Sequence, residues 1–110
     1  MIHTREEQME AFGRFLDILD ELRVKCPWDR KQTNESLRPN TIEETYELCD
    51  ALMRDDKKDI CKELGDVLLH VAFYAKIGSE TGDQVPWAFD RNNKKGGKSK
   101  QKKMTVRVDF

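Results

Sequence analysis

Residues 41–66 read TIEETYELCDALMRDDKKDICKELGD, and the fold turns on the spacing of their acids. Glu43, Glu44 and Glu47 come first, and Glu63 and Asp66 follow as a second acid-x-x-acid pair. On a helix turning about 100° per residue, Glu43, Glu47 and Asp50 lie along one stripe with Glu44 on its edge. Asp59, Glu63, Asp66 and His70 form a second stripe, and Leu64, Val67, Leu68, Val71 and Ala75 occupy the neighbouring face, where they are expected to pack inward. Asp55 or Asp56 caps the helix that follows. Two consecutive helices on so short a connection are antiparallel neighbours, which lets the 43–47 turn approach the 63–66 turn.

Electrostatics then limits what such a pair can be. Two carboxylates 4 Å apart repel by about 1 kcal/mol in water and about 4 kcal/mol at an effective dielectric near 20. Five converging acids would cost an amount comparable with a domain's whole stability of roughly 5–15 kcal/mol. If they converge, cations accompany them, and an all-oxygen site without cysteine selects a hard ion, Mg²⁺ or Mn²⁺. If they do not, they are ordinary solvated acids; spacing leaves both readings open. His70 reads as a packed or supporting histidine rather than a ligand.

Outward from this stretch the pattern stays helical. Thr4 with Glu7 makes a capping box, after which Met9, Phe12, Leu16 and Leu19, widened by Phe15 and Leu22, recur at helical steps. Pro27 ends that helix near Lys25. CPWDRKQTNESLRPN reads as a connection with a short helical turn from Asp29. The second long helix is predicted from Asn40 or Thr41 to Arg54, and the third over 57–77, stopping around Gly78. No strand pattern precedes residue 84, although the final TVRVDF alternates. The expectation is an all-α domain over 1–83 and a divergent basic tail over 84–110.

Composition agrees. The 110 residues are 37% charged and 8% aromatic, with a mean hydropathy of −0.81. No apolar run approaches the ~18 residues of a membrane span, and the polar start is not a secretion signal. Cys26, Cys49 and Cys61 are odd in number and not closely paired, which argues for a reducing cytoplasm and for small buried apolar roles. The net charge of −1 hides an asymmetry: residues 1–89 carry 12 Lys+Arg against 19 Asp+Glu, and residues 90–110 carry 8 against 2.

Three blocks, CPWDRKQTNESL, TIEETYELCDAL and KELGDVLLHVAFYA, in this order and spacing, resemble the MazG family of nucleoside triphosphate pyrophosphohydrolases over about residues 8–83. The resemblance implies the all-α pyrophosphatase fold, an antiparallel helical bundle completed by dimerisation. It also implies a magnesium site of the form E-E-x-x-E…E-x-x-D and hydrolysis of a nucleoside triphosphate to monophosphate and pyrophosphate. Carried onto this chain, Glu44, Glu47, Glu63 and Asp66 would hold metal, and Glu43 would be a further ligand or would orient water. Trp28 would stack on the base or serve as a hydrophobic plug between helices. Lys57, Lys58 and Lys62 stand before ELGD, where they would meet phosphate oxygens or remain plain surface residues; Arg30 and Gln32 would shape the entrance.

After SETGD the chain departs from the family, which continues into a further helix and a basic segment near R-R-H-P-H. Residues from about Gln84 have neither, as a shifted frame or replaced terminus would produce, and a lost helix would leave apolar surface for self-association. A catalytically weak helical dimer that binds metal or nucleotide is therefore the competing expectation. Nucleic-acid binding by the basic tail is set aside, because the tail lacks interleaved aromatics and the body would repel phosphate.

Overall fold

A computed structural model describes residues 2–83 and 85–87, and the TVRVDF end lies outside them. Four helices follow one another: α1 (Arg5–Lys25), α2 (Pro27–Lys31), α3 (Asn34–Arg54) and α4 (Lys57–Ser79). No strand occurs among the described residues, as the pattern predicts.

The three long helices start where a side chain meets the first-turn donor deficit. At α1 the Thr4 hydroxyl accepts from the Glu7 amide while the Glu7 carboxylate accepts from the Thr4 amide, the predicted capping box. Cys26 closes α1 by donating to the Leu22 carbonyl at 2.8 Å and opens α2 by accepting from the Arg30 amide. The short helix thus begins at Pro27 and not at Asp29. Proline is suited to a first helical position, where its missing N–H leaves nothing unmade.

A larger correction concerns α3, which starts at Asn34, about two turns before the expected Asn40. Thr33 and Ser36 form a reciprocal cap, each side-chain oxygen accepting from the other's amide. The helix runs through Pro39, which has no amide to donate to the Glu35 carbonyl and whose ring crowds that carbonyl. At the far end Asp55 adopts φ 54°, a left-handed cap that Asp tolerates, and Asp56 accepts from the Asp59 amide to start α4. That two-residue turn sends α4 back along α3.

The core is small. Leu19, Leu37, Ala72 and Phe73 are buried together, with Phe15, Leu16, Tyr74, Ile77 and Trp87 packed round them. Trp87, in the segment read as a divergent tail, meets Phe12 edge-on at 5.3 Å. Arg23 ties three helices to this core. Its guanidinium grips Glu80 through two bonds of 2.7 and 3.0 Å, donates to the Asp29 and Gln32 carbonyls, and lies 5.7 Å above the Phe73 ring.

Several apolar residues expected inside are not. Leu64, Leu68 and Val71 are 53, 40 and 42% exposed, because α1 and α3 leave that side of α4 uncovered. Met9 and Leu22 are exposed on α1 for the same reason. Cys49 and Cys61 are exposed too, so the buried role expected of the cysteines fails for both.

Candidate metal centre

The two acidic stripes do face each other across α3 and α4, but they divide. Towards the turn, Arg54 collects Asp50, Asp56 and Asp59 at 3.0, 3.3 and 2.6 Å, and the hydrogen bonds to Asp59 and Asp50 push its pKa up further. These acids have their counter-charge within the chain.

One turn further along, Glu44, Glu63 and Asp66 each offer a carboxylate oxygen, all within 4.8 Å of one another. Glu63 is buried, and Glu44 and Asp66 are half-buried. The only described cation bonded to this group is Lys62, 3.0 Å from Asp66 and 3.4 Å from Glu63. It is exposed, and its two acidic neighbours push its pKa up to about 12. Two oxygens stay unmatched: Glu44 Oε1 and Glu63 Oε1 are buried with no hydrogen-bond partner. A buried acceptor left so costs about 1–3 kcal/mol, more when charged. Burial, then Asp66, Glu47 and Glu63, push the Glu44 carboxyl above the usual range, and His70 opposes them. An all-oxygen set with unfilled acceptors fits a hard divalent cation.

The remaining expected residues are placed less centrally. Glu47 is exposed but near enough to raise Glu44. Glu43 is exposed outside the triad, where it lines a shallow groove of about 580 Å³ with Pro39, Asn40, Ile42 and Tyr46. Lys57 pairs with Asp55 at 2.7 Å, and Lys58 is exposed. Trp28 is 54% exposed, so it plugs no gap between the described helices.

Sequence reasoning missed Thr41 except as a helix start. Its Oγ1 meets His70 Nδ1 at 2.6 Å, the Tyr74 hydroxyl, and the Leu37 carbonyl at 3.1 Å. Its position three residues before Glu44, on the same helical face, was the available signal. His70 is packed as expected, its ring meeting Tyr74 at a steep angle.

Comparison with known proteins bears on this geometry. The family described as MazG nucleotide pyrophosphohydrolase domain matches residues 32–102, a span that takes in α3, α4 and the triad. A nucleoside triphosphate pyrophosphohydrolase of Escherichia coli (strain K12) is 46% identical over 77 residues, 67% of this chain and 29% of that protein. The nucleoside triphosphate pyrophosphohydrolase/pyrophosphatase MazG of Thermotoga maritima is 51% identical over 75 residues, 64% of this chain and 29% of its own length. Bacillus subtilis YabN, uncharacterized by name, is 45% identical over 82 residues, 71% of this chain and 17% of that protein. The chain thus spans less than a third of these relatives.

Proposed function

We propose, since this chain belongs to the MazG nucleotide pyrophosphohydrolase domain family, that it hydrolyses a nucleoside triphosphate to the monophosphate and pyrophosphate. The cation is Mg²⁺, or Mn²⁺ in its place, held by Glu44, Glu63 and Asp66 with Glu47 as the fourth acid. The observation that carries this reading is a carboxylate cluster shared by α3 and α4 in which one buried oxygen of Glu44 and one of Glu63 have no partner. When bound, such a cation would supply Lewis-acid charge that offsets the polyphosphate and lowers the pKa of water, so that it gives up a proton more readily as it attacks.

The chain's own groups do the rest. The triad holds negative charge at a half-buried seat, which a triphosphate alone would avoid. Glu43, outside the triad, orients the attacking water and accepts its proton. Lys57, Lys58 and Lys62 bring ammonium groups to the start of α4, where they meet phosphate oxygens. Trp28, open to solvent, is available to stack on a base. A homodimer covers the apolar side of α4, where Leu64, Leu68 and Val71 are exposed.

Pyrophosphate release from mixed nucleoside triphosphates in Mg²⁺ tests the reading. Wild type should release it, and Glu63→Gln should be at least about a hundredfold slower. Glu43→Gln should lose turnover while keeping its affinity for Mn²⁺. No release by wild type at high enzyme concentration would end the enzymatic reading and leave a nucleotide-binding helical module.

A further inference from the structure

Thr41 has one hydroxyl proton and three neighbours. The Leu37 carbonyl can only accept, Tyr74 can donate or accept, and His70 Nδ1 does one or the other according to tautomer. All three contacts are hydrogen bonds in one arrangement that uses both Thr41 lone pairs: Thr41 donates to Leu37, while Tyr74 and His70 donate to Thr41. That arrangement fixes His70 with its proton on Nδ1. It also joins α3 to α4 by two side-chain bonds at a half-buried point beside Leu37, which is buried in the core.

The location gives the contact its meaning. Thr41 lies one turn before Glu44 on α3, and His70 one turn after Asp66 on α4, both on the faces that carry the triad. Two helices that bring mutually repelling carboxylates together tend to slide or part there. Apolar packing resists separation, yet it is non-directional and resists sliding weakly. A hydroxyl bonded to two donors on the opposite helix fixes the axial register as well.

We propose that Thr41 is a positioning residue for the carboxylate site: its hydroxyl, held by His70 and Tyr74, sets the register at which Glu44 meets Glu63 and Asp66. This rests on the metal-site reading above. Groups hydrogen-bonded to a ligand commonly change metal affinity 10–100-fold when removed, and a residue that acts through helix register is expected at the low end of that range.

The test is Mn²⁺ titration, by calorimetry and by water-proton relaxation, of wild type, Thr41→Val, Thr41→Ser, Tyr74→Phe and Glu63→Gln, each at a temperature where circular dichroism shows it folded. Thr41→Val should bind roughly tenfold or more weakly, Tyr74→Phe several-fold more weakly, and Thr41→Ser within about threefold of wild type. Nitrogen-15 shifts should place the wild-type His70 proton on Nδ1 and show it redistributed in Thr41→Val. A role confined to stability would lower the melting temperature and leave affinity and tautomer unchanged. Wild-type affinity in folded Thr41→Val, or in Tyr74→Phe should the valine variant not fold, overturns the proposal. If Glu63→Gln also binds Mn²⁺ like wild type, the metal site itself fails, and the two failures are distinguished.

Discussion

Glu63→Gln should make the metal-free protein more stable while removing the response to metal. The substitution keeps the shape of a buried side chain and deletes its charge. Glu63 has two carboxylate neighbours, Glu44 and Asp66, with the closest oxygens no more than 4.8 Å apart. Each pair repels by about 3.5 kcal/mol at an effective dielectric near 20, and by about 1 kcal/mol in bulk water. Lys62 offsets part of this, but it is exposed and screened. A net stabilisation of about 1–2 kcal/mol remains, which for a domain of this size is roughly 4–15 °C in melting temperature. Wild type should in turn gain about 2.7 kcal/mol with Mg²⁺ or Mn²⁺ at a hundred times its dissociation constant, and Glu63→Gln should gain nothing. Thermal melts in chelator and in excess metal read both halves. A variant less stable than wild type in chelator would refute the reasoning, because Glu63 would then be a structural partner and not a seat kept for a cation.

Other perturbations give separate outcomes. Arg23→Ala should cost roughly 2–3 kcal/mol, since it strips charged hydrogen bonds from α2 and Glu80, and Arg23→Lys should recover little of it because an ammonium lacks the fork; urea melts check both. The same pair sets an acid limit. Its bond to Arg23 holds the Glu80 carboxyl below the usual range, so this stability is present above the unfolded carboxylate pKa and is lost as pH falls through the lower folded value; Glu80→Gln should flatten that limb. Glu44 acts in the opposite sense: its folded pKa is raised, so metal-free stability is fullest below the unfolded value and falls as pH rises through the folded one, a loss that Glu44→Gln should abolish. Leu68→Asp should abolish the proposed dimerisation in light scattering with little loss of helix, because the side chain is already 40% exposed in the single chain.

What the sequence disclosed follows the range of the interactions. The Thr4 box and the Asp55–Asp56 turn are settled within a few residues, and both are legible. So is the approach of Glu44 to Glu63 and Asp66, because a two-residue connection forces antiparallel pairing and helical spacing does the rest. The expected start of α3 fell too late because Asn40 and Thr41, with Glu43 and Glu44 three residues on, also make a capping pattern. Thr33 and Ser36 meet the first-turn donors so well that the helix begins before the proline and passes through it. Arg23 was out of reach altogether: Glu80 lies 57 residues away, and nothing near Arg23 marks it as more than a basic residue in a last turn. The exposed side of α4 was misjudged because an apolar stripe states only that something covers it, and not that this chain does.

The division of the acidic face is the strongest argument that its two ends have different roles. Both ends sit on the same pair of helices, and a chain under pressure only to relieve repulsion would treat them alike. At the turn end it does so, with one guanidinium serving three aspartates. At the other end the acids are more buried, so the same repulsion costs more, yet the described chain offers only one exposed ammonium and leaves two oxygens without partners. A guanidinium there, like that of Arg54 at the turn, would give both oxygens a donor. Its absence is a stability loss retained at one place, beside a hydroxyl clamp that holds the helices in register. Strain of this kind persists where a ligand relieves it, and a cation with several oxygen ligands is the ligand these donors fit.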